Sequence, residues 1–111
     1  MIYDLGYWRV PLTNSDEHRE IMRATYSNLK SKQREFALVS SKLFIMKAES
    51  NPYETWLYVS AFTNETAREQ NAKALARDPT AIMLRERWEP LILAGSFKAE
   101  VWREFAPDLW I

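Results

Sequence analysis

Cysteine is absent from this chain, and its 111 residues include only one histidine and two glycines. A chain without cysteine has no disulfide framework, no thiolate metal site and no thiol nucleophile. Its composition fits a reducing compartment, so we expect a cytoplasmic protein. With a single histidine and no carboxylate spacing typical of a metal loop, we also expect no metal and no cofactor.

The chain also has no excess of positive charge. Lys plus Arg and Asp plus Glu each number 15, so the formal net charge is zero. Such a chain lacks the field that attracts a protein to a phosphate backbone, and we expect no nucleic-acid partner. No apolar run approaches the roughly 20 residues that span a bilayer. We therefore expect no membrane span, and Met1 to Val10 lacks the pattern of a signal peptide.

Long glycine-rich segments are excluded because Gly6 and Gly95 are the only glycines. The chain therefore has no phosphate-binding glycine loop and no flexible linker, and we place residues 1–111 in a single domain. Aromatic residues, in contrast, are plentiful, with five Trp, five Tyr and five Phe. Such rings contribute most to stability when they are buried in a core or an interface.

Four segments rich in β-branched and aromatic residues have the character of strands. They are Ile2–Val10, Phe36–Lys47, Thr55–Thr63 and Ser96–Phe105. The polar residues Ser50, Asn51 and Pro52 predict a turn that joins the middle two segments into an antiparallel hairpin.

Helix signals occupy the intervening segments. Asn14 followed by Glu17 has the spacing of a capping box and predicts a helix from about Ser15. Asn64 predicts the start of a second helix, and Asp78 before a proline predicts the start of a further helical segment. The order β-α-β-β-α-β is that of an α+β, ferredoxin-like sandwich with a four-stranded antiparallel sheet.

The two faces of the third strand differ in character. One face carries aliphatic side chains, and we expect the helices to cover it: Leu57, Val59 and Ala61. The other face is large, aromatic and partly polar, and by the same alternation it includes two residues of the first strand: Trp56, Tyr58, Ser60, Phe62, Asp4 and Trp8. Because an aromatic face of this size does not remain in water, we expect two copies to pair through it as a barrel that encloses a cavity.

Parts of the sequence resemble the NIPSNAP family. The opening MIYDLGYW resembles the start of NIPSNAP domains, which typically read M-I-Y-E-L-R-x-Y. The stretch YVSAFTNETAREQNAKALARDP resembles that family's third strand and the alanine-rich helix that ends in Asp-Pro, and WEPLIL resembles the R-P-L run before the last strand. The resemblance implies a dimeric α/β barrel, the superfamily that also includes cofactor-independent antibiotic biosynthesis monooxygenases.

The chain departs from the family pattern at two places. Tyr58 and Ser60 stand where many relatives carry a His and a Trp on the third strand. Gly6 stands where an Arg follows the leucine of the first strand. Family chemistry that depends on that His or that Arg is therefore not expected here.

Two ionisable residues are candidates for proton transfer. His18 could act as a general base near neutral pH, but its place in the first turn of a helix favours a solvent-exposed surface residue. Asp4 belongs to the predicted aromatic cavity, where desolvation favours the protonated form of a carboxylate. The alternative for Asp4 is an ion pair with Lys98 or Arg9 on neighbouring strands.

The sequence leaves three functions open. The first is a homodimer or higher homo-oligomer that binds a small apolar or aromatic molecule through Trp8, Trp56, Tyr58, Ser60 and Phe62. The second is a cofactor-independent enzyme of the monooxygenase or isomerase type, acting on a small aromatic or polyketide-like substrate with Asp4 or His18 handling a proton. The third is a structural oligomer with a filled core.

The last residues of the chain are apolar. Leu109, Trp110 and Ile111 follow Asp108 with no further charged side chain. An apolar tail left in water is unusual, so we expect this one to dock on its own subunit or on its partner.

Overall fold

The computed structural model of the protein describes residues 1–46 and 52–111. Its strands are β1 (Ile2–Pro11), β2 (Ser40–Ile45), β3 (Tyr53–Phe62) and β4 (Lys98–Arg103). Its helices are α1 (Ser15–Ser31), α2 (Glu65–Arg77) and α3 (Pro79–Trp88). The strands form one antiparallel sheet in the order β2-β3-β1-β4. The ferredoxin-like α+β fold expected from the sequence is confirmed.

Two of the three predicted helix caps are present. The Asn64 side chain accepts a hydrogen bond from the Ala67 N–H at 2.9 Å, and Asp78 accepts one from the Ala81 N–H at the same distance. The prediction of a capping box at Asn14 is wrong. A 3₁₀ turn leads directly into α1, and the Asn14 side chain caps no backbone N–H. Its amide instead donates to the Leu91 carbonyl at 3.0 Å.

The second strand is shorter than predicted. It begins at Ser40, because the chain still turns at Phe36, whose N–H donates to the Lys32 carbonyl at 2.9 Å, and at Ala37, whose φ is 53°. Phe36 is completely buried, and its carbonyl accepts from the Asn71 amide at 2.8 Å. This loop therefore anchors in the core before the strand starts. The predicted strand end at Lys47 and the turn residues Ser50 and Asn51 lie outside the described residues.

The helices cover the aromatic face of the sheet, which corrects the predicted face assignment. Trp8, Trp56 and Phe62 are 3%, 4% and 1% exposed, and the two tryptophans belong to the core cluster with Ile21 and Leu84 from the helices. The physical reason is area: large rings bury more apolar surface than aliphatic side chains, and α2 offers mainly alanines to fill the space. Asp4, Tyr58 and Ser60 belong to the same aromatic face and therefore also lie on the helix side of the sheet.

The opposite sheet face, called the open face here, carries the aliphatic residues. Leu5, Tyr7, Leu57 and Val59 lie at its centre and are only half-buried in the single chain. Trp102 on β4 continues the face and is 55% exposed. The expectation that Leu57 and Val59 lie under the helices is therefore wrong, and these side chains form an apolar surface.

The C-terminal residues are largely exposed on their own subunit. Phe105, Leu109 and Trp110 are 86%, 73% and 57% exposed. The Trp110 indole donates to the Phe105 carbonyl at 2.9 Å, so the tail folds back on itself. The prediction that the tail docks on its own subunit is therefore wrong, and its docking on a partner stays a prediction. None of the helices in the described part of the chain combines the length and apolarity needed to cross a membrane.

Candidate binding site

A cavity of about 970 Å³ lies between the aromatic face of the sheet and the three helices. The sheet supplies five of the residues predicted for the site: Asp4, Trp8, Tyr58, Ser60 and Phe62. Helix α1 contributes Tyr26 among others, α2 contributes Ala72 and α3 contributes Trp88. A volume of this size falls within the range of cavities that hold small molecules.

Trp8 is the centre of an aromatic wall in this cavity. Its ring meets the edge of Trp88 at a centroid distance of 5.4 Å and lies 6.2 Å from both Tyr58 and Phe97. Trp88 and Phe97 are themselves in edge contact at 5.6 Å. These separations are those of interacting aromatic rings, so the wall offers several ring faces and edges to a planar ligand.

Asp4 is the carboxylate at the cavity, and it is held by a helix residue. Arg68 of α2 donates from Nε to Asp4 Oδ1 at 2.7 Å and from Nη1 to Glu65 Oε1 at 2.8 Å. The predicted ion pair between Asp4 and Lys98 or Arg9 is wrong. Lys98 and Arg9 lie on the open face of the sheet, whereas Asp4 lies on the helix side with its register partner Ser60.

Tyr58 is the member of the aromatic wall on which the charges of this ion pair act. Burial raises the pKa of the Tyr58 hydroxyl, and the negative charge of Asp4 raises it further. The hydroxyl is therefore protonated at neutral pH and available as a hydrogen-bond donor.

Three hydroxyl groups form a continuous chain along the cavity. The Tyr26 hydroxyl and Ser41 Oγ are 2.8 Å apart, and Ser41 Oγ and Ser60 Oγ are 2.9 Å apart. They come from α1, β2 and β3, and all three residues line the cavity. Because Ser60 is the register partner of Asp4, this chain and the Asp4–Arg68 pair form one polar region beside the aromatic wall.

His18 is fully buried, so the surface position expected for it is wrong. The Trp8 indole Nε1 donates to His18 Nε2 at 2.9 Å, and the Trp56 ring packs against the imidazole at a centroid distance of 4.6 Å. Burial lowers the pKa of His18 to about 4, against a smaller opposing effect of Glu54. The imidazole is therefore neutral at pH 7, and its only hydrogen bond within the described residues positions Trp8.

Trp56 lies behind the cavity rather than in its lining. Its ring is nearly parallel to that of Trp8, with the ring centroids 6.5 Å apart and the planes at 16°. The guanidinium of Arg19 lies over the Trp56 ring, 5.6 Å from its centroid. Arg19 is paired with Glu54, which also accepts from Ser15 at 2.8 Å. Burial works to raise the pKa of Glu54, but the Ser15 hydrogen bond and the Arg19 charge together lower it.

Sequence reasoning missed several residues of the site. The aromatic residues Trp88 and Phe97 were placed on predicted elements without a role, although their size made them candidates for the wall. Ser41 and Arg68 carried no usable signal, because their positions depend on the hairpin register and on the docking of α2. In the described ranges 1–46 and 52–111, no three His, Asp or Glu side chains converge to form a metal site.

No family model matches the chain, and no curated protein matches its sequence. Solved structures do resemble it across nearly all of its length. A NIPSNAP family protein from Agrobacterium tumefaciens is 13% identical with a TM-score of 0.68, covering 96% of this chain and 87% of that chain. The cofactor-independent oxygenase SnoaB from Streptomyces nogalater is 13% identical with a TM-score of 0.65, covering 96% of each chain.

An antibiotic biosynthesis monooxygenase is also similar, at 7% identity and a TM-score of 0.66, over 95% of this chain and 99% of that chain. The chain shares its fold with NIPSNAP and antibiotic biosynthesis monooxygenase proteins. The ferredoxin-like fold of the subunit implied by the resemblance of its opening strand and alanine-rich helix is therefore confirmed, and the pairing of two copies into a barrel stays a prediction. At these identities the similarity is one of fold, so the function has to be argued from the cavity.

Proposed function

We propose that this protein binds a small, largely apolar aromatic molecule in the cavity between its sheet and its helices. The observation that carries the proposal is the aromatic wall of Trp8, Tyr58, Trp88 and Phe97 around a space of about 970 Å³. Rings at these distances and angles leave edges and faces for a further ring. The polar groups at one end of the cavity give such a ligand an orientation.

A matched pair of alanine substitutions tests this proposal. Ala72 of α2 and Ala24 of α1 are both exposed helix residues, but only Ala72 lines the cavity. Ala72→Phe should fill part of the cavity and weaken binding of tetralin, a bicyclic aromatic probe, by at least about tenfold, while Ala24→Phe should leave it unchanged. Binding is followed by quenching of tryptophan fluorescence. Failure of tetralin to bind the wild-type protein, or equal binding by both variants, would overturn the proposal.

The same proposal includes a homodimer or higher homo-oligomer. Leu5, Tyr7, Leu57 and Val59 make the centre of the open face apolar and only half-buried in one chain. A contiguous apolar surface on a sheet favours association, and a second copy of the same face is the simplest partner. Native mass spectrometry measures the number of subunits and any retained small molecule together.

A second candidate is a cofactor-independent enzyme of the monooxygenase or isomerase type on a small aromatic or polyketide-like substrate. The structural similarity to an oxygenase of that kind favours it, as does the presence of Asp4 in the cavity lining. In this candidate Asp4 accepts a proton from the substrate, and His18 acts through Trp8, whose indole it binds.

Proton abstraction has a direct assay. α-Tetralone, a bicyclic aryl ketone, exchanges hydrogen for deuterium next to its carbonyl when a base removes a proton. We expect the wild-type protein to accelerate this exchange in D₂O and Asp4→Asn to abolish the acceleration. Glu65→Gln is the matched control, because Glu65 also binds Arg68 but does not line the cavity. Equal exchange by the wild-type protein and Asp4→Asn would remove Asp4 from this role.

A further inference from the structure

The hydroxyl chain of Tyr26, Ser41 and Ser60 has one proton more than its internal bonds use. Each hydroxyl carries a single proton and can accept two hydrogen bonds. The two contacts, of 2.8 and 2.9 Å, use two of the three protons. The third proton is therefore on Ser60 or on Tyr26 when the two bonds run in one direction, and on Ser41 when Ser41 accepts both bonds.

Acidity favours the Ser60 end. A phenol is a stronger hydrogen-bond donor than an aliphatic hydroxyl, so Tyr26 is the better donor to Ser41. A hydroxyl that accepts one hydrogen bond becomes a better donor and a weaker acceptor of a second bond, because hydrogen bonds in series polarise one another. Ser41, which accepts from Tyr26, therefore donates to Ser60 rather than accepting from it. This direction leaves the Ser60 proton free at the end of the chain that lies beside Asp4 in the sheet register.

That proton is not committed to Asp4. Asp4 accepts from Arg68, and no hydrogen bond joins Ser60 to Asp4 in the part of the chain that the structure describes. Ser60 lines the cavity, as do both of the hydroxyls behind it. A polarised donor of this kind, next to an aromatic wall, matches an oxygen that accepts hydrogen bonds on an otherwise apolar ring system.

We propose that Ser60, polarised by Ser41 and Tyr26, donates a hydrogen bond to a carbonyl oxygen of the bound molecule, so that the ligands are aromatic ketones or quinones rather than aromatic hydrocarbons. This inference rests on the proposed binding in the cavity. Ser60 is the residue that touches the ligand, and Ser41 and Tyr26 are positioning residues that act through it. The three hydroxyl groups thus give the cavity its specificity for a carbonyl oxygen, and they do not bind the aromatic part of the ligand.

The test compares α-tetralone with tetralin, which has the same ring system without the carbonyl. The wild-type protein should bind α-tetralone about tenfold more tightly, the factor expected for one hydrogen bond. Ser60→Ala should abolish this preference and Ser60→Thr should restore it. Ser41→Ala and Tyr26→Phe should reduce it severalfold. In every variant, unchanged binding of tetralin shows that the cavity is intact.

Infrared spectroscopy gives a second measurement on the wild-type protein alone. The carbonyl stretch of bound α-tetralone should shift to lower frequency than that of the ketone in an apolar solvent. Equal affinities for the two probes, together with an unshifted carbonyl stretch, would overturn the inference while leaving the proposed aromatic binding in place. Failure of both probes to bind would instead overturn the proposed function itself.

Discussion

The ring of Tyr58 lies across Gly6, its register partner on the neighbouring strand. A Cβ atom added to residue 6 would stand 2.6 Å from Cζ and 2.9 Å from Cδ1 of that ring. Contacts this short do not occur between a real Cβ and its neighbours. The missing side chain at Gly6 therefore makes room for the Tyr58 ring, which in turn forms part of the cavity wall beside Trp8.

Gly6→Ala should displace the Tyr58 ring and weaken the protein. Overpacking of a close-packed site typically costs about 1–3 kcal/mol, and we expect the free energy of unfolding to fall by that amount. Binding of an aromatic probe should also weaken, because the ring leaves its place in the wall. Urea denaturation measures the first effect and fluorescence titration the second.

The control is the same substitution in a Tyr58→Ala background. Without the ring, alanine at residue 6 meets no obstacle, and its stiffer backbone should make the change neutral or stabilising by about 0.5 kcal/mol. A sign reversal between the two backgrounds identifies the ring as the cause. Equal destabilisation in both backgrounds would show that the strand, rather than Tyr58, requires glycine.

His18 should make the protein sensitive to mild acid. Its pKa is lowered to about 4 in the folded protein, against 6.5 as its ordinary value. Between these two values the unfolded chain binds more protons than the folded one, so the free energy of unfolding decreases as the pH falls through this range. The loss from this residue should be on the order of 3 kcal/mol, and urea denaturation at a series of pH values measures it.

His18→Gln separates this effect from that of the carboxylates. Glutamine does not titrate, and its side-chain oxygen can still accept the Trp8 indole N–H. The variant should be less stable than the wild type at pH 7 but should lose less stability on acidification. Parallel stability curves for the two proteins would mean that His18 is not the group responsible.

The sequence predicts correctly those helix caps in which both partners are close together in the chain. The caps at Asn64 and Asp78 bind backbone N–H groups three residues away, so the sequence contains both partners side by side. Asn14 had the same local pattern, but its amide is taken by the carbonyl of Leu91, which is 77 positions away in the chain. A contact of that kind is set by tertiary packing and leaves no local trace.

The alternation along β3 showed which residues share a face but not which face the helices cover. Trp56 and Leu57 had to be on opposite sides, and the choice between them depends on how much apolar area the helices need to bury. In the predicted barrel the cavity lies between two subunits, whereas the observed cavity lies within a single chain. Five predicted site residues still line it, because residues that share a strand face stay together whichever side is covered.

The proposed oligomer can be tested on the open face of the sheet. Leu57→Glu puts a charge at the centre of the open face, where Leu57 is half-buried, and we expect it to convert the oligomer to monomers. Light scattering after size exclusion measures the mass. Ala24→Glu, on an exposed position of α1, is the control and should leave the mass unchanged. A Leu57→Glu protein that is folded by circular dichroism and still oligomeric would exclude this face as the interface.

The apolar tail provides a final prediction, because its side chains are exposed on the subunit to which they belong. Deleting residues 107–111 should therefore leave the free energy of unfolding of the Leu57→Glu protein within about 0.5 kcal/mol. In the otherwise unaltered chain the same deletion should raise the dissociation constant of the oligomer about tenfold, since Leu109 and Trp110 would no longer pack on a partner. Analytical ultracentrifugation measures the dissociation constant. A destabilised Leu57→Glu protein would assign the tail to its own subunit, and an unchanged dissociation constant would place it outside the interface.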